Sequence, residues 1–182
     1  MERLKIATVW LGGCAGCHMS FLDLDEFLIE LAGKIELVYS PIADVKEYPA
    51  GVDVCLIEGA VCNADNLELL HQIRARTKVL VSFGDCAVTG NVPAMRNQFG
   101  IGNADNVLQR AYIENAQYNP VQPKLDGIIP KLLENVLPVH ELVFVEYYLP
   151  GCPPPAERIK ALIVQVLEGK TPKLEGTHLK FG

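Results

Sequence analysis

The sequence lacks two features that would each place a chain in a broad functional class. Its longest apolar runs, such as Ile6–Leu11 and Val79–Phe83, fall far short of the roughly 20 residues that span a membrane. It also contains no run of Lys or Arg, and 22 acidic residues outnumber 16 basic ones, which gives a net charge of −6. Because nucleic acid is bound by basic surfaces that neutralise phosphates, we expect neither a transmembrane segment nor nucleic-acid binding.

The N-terminus lacks a charged-then-apolar leader, because Met1–Lys5 passes directly into an apolar stretch. We therefore expect the chain to remain in the cytoplasm, where stable disulfides are rare. Its six cysteines are then better explained by metal binding or redox chemistry than by a disulfide framework.

Continuous apolar segments alternate with segments of helical periodicity along the chain. Strands buried on both faces, as in parallel sheets, are predicted at Lys5–Leu11, Ile35–Ser40, Val52–Glu58, Lys78–Phe83 and Leu142–Tyr147. Helices are predicted at Met19–Leu31, Asn66–Arg74 and Ala156–Leu167. This order predicts an α/β fold with a doubly wound, mostly parallel sheet and helices on both faces.

The length of 182 residues predicts a single domain over 1–182. Residues 91–139 are rich in Gly, Pro and Asn, and we expect a long irregular insertion there, because so long a connection is usually functional or interfacial. Short helices within it are predicted at Ala104–Glu114 and Ile128–Val136. The C-terminal tail, 170–182, has no periodicity and is expected on the surface or against a partner.

Four cysteines follow the ends of predicted strands. Cys14 and Cys17 form a C-x-x-C motif after the first strand, Cys86 follows the fourth, and Cys152 follows the fifth. Because the loops that follow parallel strands emerge along one edge of the sheet, these four thiols are expected to converge.

Four converging thiolates suit either zinc or an iron–sulfur cluster. Zinc ribbons usually use two C-x-x-C turns, whereas this chain has one such motif and two isolated cysteines with Gly and Pro neighbours. That pattern favours a four-iron cluster. Zinc, and thiols that are merely buried or redox-active, remain as alternatives.

Four further residues near the predicted strand ends have less definite roles. Cys55 lies within a strand and is expected in the core, and Cys62 is expected to pack within a loop. Glu58 ends a buried strand, so it is a structural acceptor that ties down the loop at Gly59, a proton relay, or a group that contacts the ligands of the cluster. His18 has two candidate roles, donation to a cysteine sulfur and a surface position facing a partner, and we expect the second.

The cysteine motifs and one strand end together resemble the small subunits of [NiFe]-hydrogenases, most closely those of the NAD(P)-linked bidirectional type. The resemblance covers nearly the whole chain and rests on four motifs in the family's order: Trp10–Cys17, Ile57–Gly59, Phe83–Ala87 and Pro150–Pro154. It implies a flavodoxin-like fold. It also implies one [4Fe-4S] cluster held by Cys14, Cys17, Cys86 and Cys152.

The resemblance implies partners as well as a cofactor. The cluster would relay electrons between a nickel–iron site on a large subunit and an NAD(P)-reducing diaphorase whose subunits carry flavin and iron–sulfur clusters. No cysteine follows Cys152, so a second cluster within this chain is not expected. FMN is a weak second expectation, since the cysteine loop replaces the phosphate-binding loop after the first strand.

Two other functions remain as alternatives. The first is the cluster-bearing subunit of a complex I-like dehydrogenase, although such subunits typically have two adjacent cysteines where this chain has Cys14 and Cys17. The second is a zinc-stabilised α/β interaction module without enzymatic activity.

Overall fold

The computed structural model describes residues 3–179 of the chain. The strands in this part are β1 (Leu4–Trp10), β2 (Ile35–Tyr39), β3 (Val52–Glu58), β4 (Val61–Asn63), β5 (Thr77–Phe83), β6 (Leu132–Leu137) and β7 (Tyr147–Leu149). The α-helices are α1 (Gly16–Leu22), α2 (Glu26–Ala32), α3 (Ala64–Arg76), α4 (Asp85–Thr89), α5 (Asn103–Gln109) and α6 (Ala156–Leu167).

The main sheet has five strands in the order β2-β1-β3-β5-β7, and every neighbouring pair is parallel. Among these five strands, that is the 2-1-3-4-5 order of flavodoxin-like, doubly wound sheets. The predicted α/β fold with a mostly parallel sheet is therefore confirmed.

The pairing register aligns the carboxyl ends of four strands. Trp10 of β1 is opposite Glu58 of β3, Glu58 is opposite Phe83 of β5, and Phe83 is opposite Leu149 of β7. The loops that follow β1, β3, β5 and β7 consequently begin side by side at this edge. We call these four residues the terminal row.

Helices cover both faces of the sheet, because alternate residues of each strand point to opposite sides. Leu56 of β3 lies in one core and Ile57 in the other. The first core receives apolar side chains from α1, α2 and α6, and the second from α3: Phe21, Phe27, Leu162, Leu70 and Ile73.

The single helix predicted over Met19–Leu31 is wrong in one respect. The structure divides this stretch into α1 and α2, with a break around Asp25, whose φ is +48°. Asp is among the few residue types enriched at positive φ. The break still allows Leu24 and Phe27 to enter the core.

The strand predicted at Leu142–Tyr147 lies later in the sequence, because β7 spans Tyr147–Leu149. Before β7 begins, the segment that leads into it is already hydrogen-bonded to β5 at Glu146. The Glu146 backbone N–H donates to the Leu80 carbonyl at 3.2 Å. The Glu146 carboxylate accepts from the Leu80 N–H at 2.7 Å and pairs with Arg74 at 2.9 Å. Regular pairing therefore starts only at Tyr147.

The region 91–139 contains more regular structure than the sequence predicts. The helix predicted at Ala104–Glu114 is present as α5 followed by a π-helical turn at Arg110–Glu114. The helix predicted at Ile128–Val136 is wrong, because this stretch holds β6, which pairs antiparallel with β4.

Side chains from a neighbouring 3₁₀ segment, Val92–Phe99, hold β6 in its extended form. Arg96 donates to the Leu133 carbonyl at 2.5 Å. The Asn97 amide both donates to and accepts from the Val136 backbone at 2.8 Å. β6 pairs with β4 in a two-stranded sheet, and these side chains bind backbone groups of β6 that would pair with a third strand in a larger sheet.

The C-terminal tail predicted over 170–182 is described as far as residue 179. Leu174 packs against the first core, and the Lys173 N–H donates to the Gln165 side chain of α6 at 2.8 Å. A 3₁₀ turn follows at Gly176–Leu179. Residues 180–182 lie outside the described residues.

Within residues 3–179, no helix combines the length and apolar character that crossing a membrane requires.

Replacement of a buried helical isoleucine tests the assignment of the second core. Ile73 of α3 is fully buried, and Ile29 of α2 is 77% exposed. We expect I73A to lower the free energy of unfolding by about 2–5 kcal/mol through lost burial and a cavity. I29A should change it by less than about 0.5 kcal/mol. Urea unfolding measures both, and equal losses would contradict the packing.

Candidate metal centre

Three loops at the terminal row bring four cysteines together. Cys14 lies in the loop after β1 and Cys17 in the first turn of α1. Cys86 lies in the first turn of α4, after β5, and Cys152 follows β7. The Cys17 sulfur is near enough to the other three sulfurs for their charges to raise the pKa of its thiol.

Hydrogen bonds join the loop after β5 to the loop after β7. The Gly84 N–H donates to the Leu149 carbonyl at 2.8 Å, and the Asp85 N–H donates to the Gly151 carbonyl at 2.9 Å. In return, the Gly151 N–H donates to the Asp85 carboxylate at 2.6 Å. The backbones that present Cys86 and Cys152 are thus fixed relative to each other.

The four thiols range from buried to exposed. Cys17 is buried, Cys86 is half-buried, and Cys14 and Cys152 are exposed. The Asn91 amide approaches the Cys152 sulfur at 3.5 Å. No sequence pattern indicates this contact, since Asn91 has the character of an ordinary turn residue. The centre therefore has a buried side at Cys17 and an open side at Cys14 and Cys152.

Gly84 makes room for the Cys17 sulfur. Its φ is +84°, and a Cβ at this position would lie 2.2 Å from that sulfur. A Cβ on Gly16 would lie 3.3 Å from the Cys14 sulfur. Only glycine at position 84 combines this backbone conformation with the absence of a side chain.

Burial and mutual repulsion oppose ionisation of the clustered thiols. Burial raises the pKa of Cys17 well above its ordinary value, and the nearby Glu58 carboxylate raises it further. Burial, followed by the charges of Cys152 and Cys14, raises the pKa of Cys86 to about 11. A cationic metal group would offset both effects, because metal ligation deprotonates thiols. The donor set therefore fits a thiolate-bound metal group.

Among residues 3–179, no group of three or more His, Cys, Asp or Glu side chains is arranged to hold a metal ion as the side chains stand. The four sulfurs are nevertheless neighbours, since the charges of the other three act on Cys17. Their number and residue type match the Cys₄ ligation of iron–sulfur clusters.

Glu58 lies beneath the cysteine loops and is 1% exposed. Its carboxylate accepts from the Cys17 N–H at 3.4 Å and from the His18 N–H at 3.0 Å. These contacts are those of a structural acceptor, but they hold the first turn of α1 rather than the predicted loop at Gly59. The proton-relay role stays a prediction.

The prediction of a surface position for His18 is wrong. This residue is 7% exposed, and its Nδ1 pairs with the Glu58 carboxylate. Its ring also contacts the Phe83 ring edge-on, with centroids 6.3 Å apart. The buried carboxylate of Glu58 attracts the imidazole inward, which a pattern of apolar residues could not reveal.

Of the two remaining cysteines, Cys55 packs in the core as predicted, whereas the prediction that Cys62 packs within a loop is wrong, because Cys62 lies in β4, which pairs with β6. Cys55 is fully buried, and burial raises the pKa of its thiol to about 12. Cys62 is half-buried, and its sulfur lies 3.5 Å from the Ala60 carbonyl. A Cβ on Gly12 would lie 2.1 Å from the Cys62 sulfur, so Gly12 leaves space for it.

The model of one protein family, described as "NADH ubiquinone oxidoreductase, 20 Kd subunit", matches residues 14–166. This chain belongs to that family. The match begins at Cys14 and includes the other three clustered cysteines.

The chain is also similar to several hydrogenase subunits. The chain is 37% identical to the delta subunit of NAD-reducing hydrogenase HoxS from Cupriavidus necator, over 92% of this chain and 80% of that subunit. It is 40% identical to a subunit of the vhu F420-non-reducing hydrogenase from Methanococcus voltae, over 95% of this chain. A chain in the crystal structure of an NAD+-reducing [NiFe]-hydrogenase in the H2-reduced state matches with 40% identity and a TM-score of 0.93, covering 100% of both chains. The resemblance to hydrogenase small subunits is therefore confirmed.

Two archaeal relatives are longer than this chain. It spans 59% of the Methanococcus voltae protein. It also spans 57% of an iron-sulfur subunit of the F420-non-reducing hydrogenase from Archaeoglobus profundus, to which it is 32% identical.

Alanine substitutions at Gly84 and at Gly51 distinguish two costs of an added side chain: backbone strain, which both positions share, and a clash with the Cys17 sulfur, which only Gly84 has. Gly51 has a similar φ of +73°, but nothing lies within 4 Å of an added Cβ. We expect G51A to cost about 1–2 kcal/mol of unfolding free energy from the positive φ alone. G84A should cost measurably more, since the Cys17 sulfur must also move. Equal costs in urea unfolding would show that the sulfur does not occupy this space.

Proposed function

We propose that this chain is the electron-transfer small subunit of a [NiFe]-hydrogenase. In this proposal it carries one [4Fe-4S] cluster, held by Cys14, Cys17, Cys86 and Cys152. The convergence of these four thiols at the terminal row, with Gly84 leaving space for the Cys17 sulfur, is the observation that carries the proposal. The name of the Archaeoglobus profundus relative, an iron-sulfur subunit, supports the same cofactor.

Each part of the site has a role in such a centre. When bound, a [4Fe-4S] cluster accepts and releases one electron at a time. Cys17 would hold it from the buried side, where water is excluded, and Cys14 and Cys152 would hold it near the surface. Asn91 would donate a hydrogen bond to the Cys152 sulfur, a type of contact that influences the reduction potential of clusters.

Electrons would enter and leave through partner chains. The first proposed partner is a large subunit with a nickel–iron site, which exchanges electrons with the cluster. The second is a diaphorase with flavin and iron–sulfur clusters, which exchanges electrons with the cluster and reduces NAD(P). The similarity to HoxS delta and to a chain of an NAD+-reducing [NiFe]-hydrogenase supports this assembly. FMN is not part of the proposal, because the loop after β1 is occupied by Cys14 and Cys17.

A complex I-like dehydrogenase is the second candidate, favoured by the description of the family model. Cys14 and Cys17 are separated by two residues, whereas the subunits of that class typically have adjacent cysteines. The two candidates differ in the partner chain, so nickel in the purified complex distinguishes them.

Serine substitutions test the ligand set. Because a serine oxygen is a poor substitute for a thiolate, C14S, C17S, C86S and C152S should each lose or convert the cluster. C55S is the matched control, since Cys55 is fully buried away from the site and should cost packing alone. Iron and acid-labile sulfide per chain measure the outcome. Full iron content in C152S, or an equal loss in C55S, would contradict the assignment, and zinc in place of iron would favour the interaction module.

Exposed apolar side chains near the site predict the partner interface. Met19 is 60% exposed two residues after Cys17, and Trp10 is 45% exposed at the end of β1. We expect a tagged chain to co-purify with a nickel-containing subunit, and M19E to reduce its recovery at least several-fold. I29E is the matched control, because Ile29 is an exposed apolar residue on α2. Equal recovery with both variants would contradict an interface at Met19.

A further inference from the structure

We propose that His18 is a positioning residue for the metal centre. Its imidazole orients the Glu58 carboxylate, which in turn fixes the first turn of α1 and therefore the Cys17 sulfur. The inference rests on the proposed function, since it concerns how that centre is held.

Glu58 connects the end of β3 to the cysteine loop. Its two carboxylate oxygens accept from consecutive backbone N–H groups, those of Cys17 and His18. The first turn of a helix leaves such N–H groups without partners in the helix, and here a buried carboxylate satisfies two of them. Rotation of the carboxylate would therefore release the turn that carries Cys17.

His18 restricts that rotation. Its Nδ1 contacts the same Oε2 atom that accepts the His18 N–H. We assign the hydrogen of this contact to Nδ1, the tautomer in which the ring donates to the carboxylate. His18 thus binds Oε2 with two donors from one residue, one on the backbone and one on the side chain.

The other nitrogen of the ring, Nε2, is buried and has no hydrogen-bond partner within residues 3–179. Among these residues, the Glu58 carboxylate is therefore the only hydrogen-bond partner of the imidazole.

Packing extends the same connection to the loop of Cys86. The His18 ring rests edge-on against Phe83, the residue that precedes Gly84. Gly84 in turn leaves the space that the Cys17 sulfur occupies. From its position in the first turn of α1, His18 therefore contacts the last residue of β3 and the last residue of β5. These three elements are among those that define the centre.

Charge makes the orientation of Glu58 important for the centre. The carboxylate is close enough to both Cys17 and Cys86 to raise the pKa of their thiols. A shift of this charge would change the potential at the sulfurs, and reduction potentials of clusters respond to nearby charge and hydrogen bonds.

The test uses the hydrogenase complex purified anaerobically, with wild type, H18L, H18N and E58Q. H18L removes the donor to Glu58. H18N keeps one, because the asparagine amide nitrogen occupies nearly the position of Nδ1. H71L is the matched control, since His71 is exposed on α3. Readouts are iron and sulfide content, the electron paramagnetic resonance spectrum of the reduced cluster, and its midpoint potential.

We expect H18L and E58Q to change the spectrum and shift the potential, and H18N and H71L to match wild type. If the two residues act as one unit, the double variant H18L/E58Q should shift the potential no further than the larger single shift. If the H18L complex fails to assemble its cluster, two results still decide the proposal: whether H18N restores the wild-type iron and sulfide content, and whether E58Q shifts the midpoint potential.

Three results would overturn the inference. The first is an H18L spectrum and potential equal to those of wild type, and the second is an H18N that behaves like H18L. Additive shifts in the double variant are the third. Wild-type complex without iron and sulfide would instead overturn the proposed function, and this inference with it.

Discussion

The register of the parallel sheet is the constraint on which the centre depends. Trp10, Glu58, Phe83 and Leu149 lie side by side across β1, β3, β5 and β7, so the cysteine loops start from one line. A shift by one residue in any strand would turn its side chains to the opposite face and displace the loop that follows. Thiols far apart in sequence become neighbours because the sheet holds this register.

A buried carboxylate would be costly at this position without compensation. Glu58 receives two backbone N–H groups and an imidazole, all from the residues that begin α1. The same contacts explain why Cys17 is the buried member of the four, since the turn that carries it is drawn toward β3. The contacts that hold this loop therefore also place Cys17 among the other thiols.

Sequence patterns predict the parts of the fold that depend on local or repeated features. β3 and α6 have the predicted boundaries, because β3 is a mostly apolar strand and α6 starts after prolines and ends before Gly169. β6 is not predicted because a short segment with a few apolar residues fits a helix or a strand equally well. Its extended conformation depends on contacts with Arg96 and with β4, which is distant in the sequence. The burial of His18 depends on Glu58, 40 residues away, which no local pattern encodes.

Mössbauer spectroscopy of the complex from cells grown on ⁵⁷Fe tests the central claim most directly, because it identifies the type of iron centre. Our account predicts the signature of a [4Fe-4S] cluster in wild type, with about four iron atoms per small subunit once the partners' iron is subtracted. That component should be missing in C17S, which lacks the buried ligand. A wild-type spectrum that C17S leaves unchanged would contradict the claim that the four thiols at the terminal row hold the cluster.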